Sequence, residues 1–282
     1  MSDSIRTYKA IRDALKHLYP QKPRGNTARR LNVLTALISG IVGSKKVNLP
    51  QIGQKVPDEN KPESHIKQFH RWLTNEGIDA KLYLLPFIST LLATLAQTTL
   101  FLMMDGSVVG RGCITLMASV VYKGRALPIA WIVVRGKKGH LKEEIHLKLI
   151  EQLHHIIPEG ARIVLLGDGK FDGTKLLDKT DRYGWKYVCR TGKSNVLFKG
   201  EKKFSFKDVF LAQGQPPMSL PDVLFTHEAY GPVHAILWWD KKYKEPFISL
   251  PMYNRRKRPA IGTRKDFGSR PFSLMKRAED FI

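Results

Sequence analysis

The chain has 282 residues, 43% of them hydrophobic and 26% charged. These values are ordinary for a soluble globular protein and argue against a disordered, collagenous or polytopic membrane chain. Lysine and arginine number 47 against 25 acids, a net charge of +22. That balance points to a polyanionic partner, with nucleic acid ahead of an anionic membrane surface.

In chain order, Ile5, Tyr8, Ile11, Leu15 and Leu18 recur at helical spacing over residues 5–19. Pro20, Pro23 and Gly25 break that pattern. Asn26 or Thr27 is the expected cap of a second helix over 28–42, with Gly43 closing it. A short third segment lies near 49–54, and helical signal returns over 63–75 with His65, Lys67, His70, Arg71 and Trp72. The apolar window 82–104 carries Pro86 and several Ser, Thr and Gln residues, so it reads as a buried helix running into a buried strand and not as a membrane span.

From Leu100 the character changes. TLFLMMDGS, GCITLMASVVY and ALPIAWIVV are three apolar runs, the last two joined by the turn YKGR, which predicts a hairpin meander. Residues 141–157 are amphipathic and helical, ARIVLLGDG is an apolar strand ending in an acid, FDGTKLLDKTDRYG a helix and WKYVCRTG a buried strand. Strand, strand, strand, helix, strand, helix, strand predicts a mixed α/β sheet with helices on its faces. Residues 196–235 are polar, with expected hairpins around 204–209 and 223–230. HAILWWD and KEPFISLP then resume the strand pattern. Periodicity stops after Tyr253.

Cys113 and Cys189 have no cysteine or histidine at ligand spacing, which excludes a disulfide scaffold and a zinc finger and fits a reducing compartment. The charged N-terminus has no apolar signal-peptide core. A G-x-x-x-x-G-K-[ST] loop is absent, so nucleotide hydrolysis is unsupported.

Asp105 and Asp168 each close an apolar run. A sheet that brings two such strand ends together makes a pair of carboxylates, the donors that Mg²⁺ or Mn²⁺ prefers. Two such ions clamp both the attacking and the leaving oxygen of a phosphodiester. The bland alternative is a pair of turn or capping residues. Asp172, in FDG, reads as a helix N-cap. His65, His70 and His140 are read as surface or nucleic-acid-facing residues. Trp131, Trp185, Trp238 and Trp239 are read as core, and Trp72, beside Arg71, as packed.

Asp105 in FLMMDGS with its following hairpin, ARIVLLGDGKFDG with Phe171 after the second acid, WKYVCRTGKSN and HAILWWDKKYKEPFISLP together resemble DDE transposases of the insertion-sequence type. The resemblance spans the chain, is strongest over 100–250, and extends to the helical segment HIKQFHRWL as an end-binding region. It implies a ribonuclease-H-like mixed sheet with flanking helices and a β-rich insertion at about 196–235, preceded by a small all-helical region. The implied domains are a DNA-end-binding region at 1–95, a catalytic core at 96–253 and a degenerate basic tail at 254–282.

The resemblance implies catalytic, metal-holding roles for Asp105 and Asp168, with a two-metal Mg²⁺ or Mn²⁺ site. It gives DNA-binding roles to Arg71, Arg190, Lys193, Arg256 and Arg258, and Lys137 and Lys138 in the basic turn GKKGH are further phosphate contacts. The implied partners are double-stranded DNA at an element's terminal repeats and a second copy of the chain, with no membrane, in the cytoplasm at the nucleoid. The third block departs from the family. Tyr253 and Arg256 or Arg258 match its opening, yet Gly262 stands where the pattern has a Glu, and Pro259, Gly262 and Gly268 disfavour the helix that would carry it. Asp266, Glu279 and Asp280 lack the expected context, and the family's following helical tail is missing, so a truncated or degenerate copy is the simplest expectation. The alternatives are a non-catalytic DNA-binding remnant or inhibitor of transposition, and a related nuclease of the same fold.

Overall fold

The computed structural model describes residues 3–19, 22–136, 141–239 and 246–252. The chain divides into two compact units, Met1–Thr94 and Leu95–Ile282.

The first unit is helical: α1 (Asp3–His17), α2 (Gly25–Ser44), α3 (Leu49–Gly53), α4 (Pro62–Leu73), α5 (Ala80–Tyr83) and α6 (Leu85–Leu95). Neither Asn26 nor Thr27 caps α2. Arg24 holds the cap position without a side-chain bond, and the helix runs through Gly43 to end at Lys45 in the left-handed conformation. The core gathers Ala36, Leu37, Ile52, Val56 and Phe69, with Tyr8 and Trp72 packed against it. A Cβ at Gly40 would lie 2.6 Å from Ile52, so this glycine sets how closely α2 and α3 approach. His65 is buried, not surface-facing: its ring pairs with Asp58 at 2.7 Å. Trp72 is packed as read, its indole N–H donating to the Arg30 carbonyl at 3.0 Å.

The second unit is built on β1 (Leu100–Gly110), β2 (Cys113–Tyr122), β3 (Arg125–Arg135), α7 (Glu143–Ile156), β4 (Ile163–Gly167), α8 (Thr174–Arg182), β5 (Lys186–Arg190), β6 (Val196–Lys199), β7 (Lys202–Ser205), β8 (Met218–Phe225), β9 (Tyr230–Trp238) and β10 (Phe247–Met252). One ten-stranded sheet runs in the order β3-β2-β1-β4-β5-β10-β9-β8-β6-β7. β2 is antiparallel to both β1 and β3, whereas β1, β4 and β5 are mutually parallel. The five-strand half is the mixed arrangement that the ribonuclease-H-like reading requires.

The polar stretch 196–235 is no separate sheet. β10 pairs with β5 on one side and β9 on the other, and so carries the hydrogen-bond ladder into the second half. Its first hairpin turns at Gly200–Glu201, earlier than expected, and Phe206–Asp208 is a single 3₁₀ turn. Among the described residues, no helix is long and apolar enough to cross a membrane.

Candidate active site

The site rests on strand register. β1 and β4 run parallel with Leu102 beside Leu165 and Met103 beside Leu166. Carried two residues further, past the last paired position and past the end of β4 at Gly167, the same offset matches Asp105 with Asp168. β5 extends the comparison: Gly167, the last residue of β4, pairs with Cys189, and the next residues of the two segments are Asp168 and Arg190. On the other side, Asp105 pairs with Met117 and Met117 with Trp131. Arg190 in turn pairs with Ser249. Laterally paired residues point to one face of a sheet. Trp131, Met117 and Asp105 therefore share a face; Arg190 follows Val188 on it by alternation, and Asp168 is the next position on it after Leu166, just beyond the end of β4.

Below this row the face is apolar and closed: Met103, Val164 and Leu166 are buried with Phe101, Val121 and Val188 against them. At the row itself burial ends. Asp105 is exposed and Asp168 half-buried. Asp105 does not terminate its strand. β1 continues to Gly110, because Gly106, Ser107 and Val108 keep their partners Leu116, Thr115 and Ile114 on β2. The acid marks the end of the buried part of the strand and not the end of its hydrogen bonding.

Each carboxylate is oriented by a backbone donor. Gly106 N–H donates to Asp105 Oδ1 at 2.7 Å, and Lys170 N–H to Asp168 Oδ1 at 2.9 Å. The Ser107 hydroxyl lies 3.5 Å from Asp105 Oδ2. Neither acid is in an ion pair among the described residues. Carboxylate oxygens are the hard donors that Mg²⁺ or Mn²⁺ prefers.

Behind Asp168 the packing is tight. A Cβ at Gly167 would lie 2.6 Å from Phe171 Cβ and 3.3 Å from Cys189 Sγ. Phe171 is buried, its ring centroid 5.0 Å from that of His146 on α7, and its N–H donates to the Asp168 carbonyl at 3.0 Å. Burial holds the His146 ring below the usual imidazole range, opposed by the negative charges of Glu143 and Asp168. The Cys189 thiol is pushed up by complete burial, as suits an inert core cysteine.

Asp172 is not the N-cap of α8. Gly173 takes that position, and the Asp172 carboxylate instead accepts from the Thr191 hydroxyl at 2.6 Å and from Asn195 Nδ2 at 3.0 Å. It clips the loop after β4 to the loop after β5. Burial raises its pKa above the carboxylate range, and the Thr191 and Asn195 bonds offset part of that rise.

The remaining predicted residues scatter. Arg190 closes β5 in the acid row, and Lys193 lies half-buried three residues on. Lys193 also supplies the carbonyl that accepts from Lys207 N–H at 3.1 Å. Arg71 is exposed on α4, in the other unit. Lys137, Lys138, His140, Tyr253, Arg256, Arg258, Gly262, Asp266, Glu279 and Asp280 lie outside the described residues. Among the described residues, no group of three His, Cys, Asp or Glu side chains is close enough to hold a metal ion. Trp131, read as core, is 42% exposed, whereas Trp185 and Trp238 are buried. Its run alternates, with Trp131, Val133 and Arg135 outward on the terminal strand of the sheet.

No family model and no curated protein sequence matches the chain. Among solved structures it is similar to a piggyBac transposase, seen by cryo-EM in a synaptic complex with hairpin DNA, at TM-score 0.41 and 10% identity. The match covers 98% of this chain and 63% of that one, so the chain spans less than two thirds of its neighbour's length.

Proposed function

We propose that this protein is a DDE-type DNA transposase that cleaves and transfers DNA strands at the ends of an insertion sequence. One observation supports the reading: the parallel register of β1 with β4 and of β4 with β5, which, continued past Gly167, matches Asp105 with Asp168 and Asp168 with Arg190. The net charge of +22 supports a polyanionic substrate.

Asp105 and Asp168 would hold the divalent ion, each fixed by its backbone donor. A Mg²⁺ or Mn²⁺ ion there supplies Lewis-acid stabilisation of the phosphodiester and a nucleophilic hydroxyl near neutral pH. Arg190 supplies a fixed positive charge one strand from Asp168, where a phosphate oxygen gains most from it. Glycine 167 and Phe171 keep the Asp168 loop against the sheet, so the carboxylate does not have to be ordered when DNA arrives.

A second reading, a DNA-binding remnant without catalysis, is favoured by Gly262 at the position where the family pattern has its third acid. Cleavage of labelled duplex DNA carrying the element's own ends, in Mn²⁺ and in Mg²⁺, separates the two. The transposase reading expects nicking at the end junction, lost in Asp105→Ala. Binding of the same DNA without any nicking would overturn it in favour of the remnant. Junction-independent cleavage of branched DNA would point to a nuclease of the same fold.

A further inference from the structure

We propose that Trp131 is a stacking platform for an unpaired nucleobase of the DNA strand whose phosphate lies at the acid row. The inference deepens the reading above and takes from it the site and the kind of substrate.

Trp131 pairs with Met117, and Met117 with Asp105, so the indole belongs to the face that presents the carboxylates. Two strand spacings separate Trp131 from Asp105, about 10 Å. That is a short reach along an extended nucleic-acid strand. The side chain is 42% exposed, unlike Trp185 at 5% and Trp238 at 4%. Tryptophan on a terminal strand covers apolar surface at little entropic cost, and its flat ring accepts any base.

The neighbours fit the same occupant. Val133, on the same face and 53% exposed, extends the apolar patch. Arg135 follows two residues later, exposed and in no ion pair among the described residues. An aromatic plane, an aliphatic shoulder and a guanidinium at alternate positions of one strand match base, sugar and phosphate. The Thr115 hydroxyl lies between Ser107 and Val133 in the adjacent row. It is buried without a hydrogen-bond partner among the described residues. An apolar protein partner would gain nothing from Arg135 or from the carboxylates beside it. A nucleic-acid strand uses the aromatic and the cation together.

The test is binding by the full chain in EDTA, so that it does not depend on cleavage. The probes are a 20-nucleotide single strand, the blunt duplex of the same length, and heparin as a polyanion without bases. The single strand quenches wild-type tryptophan fluorescence, and Trp131→Phe removes that component of the quench. Trp131→Ala weakens single-strand binding about 5- to 100-fold, leaves heparin affinity unchanged, and costs the blunt duplex little. Trp131→Phe retains most of the affinity and controls for folding. Three outcomes overturn the inference: unchanged single-strand affinity in Trp131→Ala, an equal loss for heparin or blunt duplex, or an equal loss in Trp131→Phe. A wild type that fails to cleave but shows the base-dependent quench would refute the transposase reading and leave this one standing.

Discussion

The two faces of the five-strand half-sheet carry alternate residues of the same strands, yet only one of them makes a site. On one face Leu102, Met104, Leu116, Ala118, Leu165, Tyr187 and Cys189 are sealed. The face stays closed as far as Gly106, where a Cβ would touch Leu141, and Gly167, where it would strike Phe171. On the other, burial ends abruptly after Met103 and Leu166, and the next outward positions are Asp105, Asp168 and Arg190. A period of two lets a single strand serve as core on one side and as a chemical surface on the other. The sealed face fixes the register, because a slip of one residue would send every apolar side chain to the wrong side. Continued past its last paired residues, that register matches two acids 63 positions apart in the chain.

The contrast can be broken from the sealed side. Leu165 is fully buried on β4, three residues before Asp168. Leu165→Ala removes a core side chain and leaves a cavity, a loss of about 2–5 kcal/mol. Chemical denaturation reads it as a lower midpoint with an unchanged slope. A shift below about 0.5 kcal/mol, the level of an ordinary surface change, would mean that this face does not anchor the register.

Gly167→Ala comes next. Its Cβ would meet Phe171 at 2.6 Å, with backbone and ring both needing to move. Overpacking of this kind costs about 1–3 kcal/mol, and the displaced Phe171 takes the Asp168 loop with it. Thermal unfolding and DNA cleavage should therefore both fall. Gly169→Ala is the control, since the nearest atom to its Cβ would be 4.0 Å away.

The smallest effect is a sign in a pH profile. The folded-state pKa of Asp172 is raised by burial. Between its unfolded value, near 3.9, and the raised folded value, the native state holds a proton that the unfolded state has lost. Stability therefore falls as pH rises through that window. Asn keeps an acceptor for Thr191 and Asn195 but carries no charge. Asp172→Asn should abolish this part of the decline and be as stable as wild type, or more so, at pH 7. Urea midpoints across pH 4–7 check it. A variant that loses stability most at pH 7 would show that the charge of Asp172 holds the clip together.

Much of this is legible in the sequence, and most of the rest depends on tertiary partners. The apolar runs gave the strands, and acids at the ends of two of them gave Asp105 and Asp168 as candidates. The turn-like Asp-Gly-Ser hid the continuation of β1, because its partners on β2 are tertiary and leave no mark in the local pattern. ALPIAWIVV reads as a continuous apolar run, and nothing local says that its strand is the last in the sheet, with Trp131 left open. Asp172 has the composition of a cap, yet Gly173 fills that position and Thr191 and Asn195, about twenty residues away, take the carboxylate. His65 was the avoidable one. It precedes Phe69 by one helical turn, and both lie on the buried stripe of α4.

Mn²⁺ binding tests the shared site most directly. Calorimetric or paramagnetic-resonance titration of the wild type, Asp105→Asn, Asp168→Asn and the double variant forms a cycle that requires no knowledge of the DNA target. If the two carboxylates hold one ion, each single substitution weakens Mn²⁺ binding by at least about 100-fold, beyond the loss of an outer partner. The double variant should then lose little more. Independent losses that add, or a wild type that binds Mn²⁺ no better than the double variant, would contradict a single site at Asp105 and Asp168.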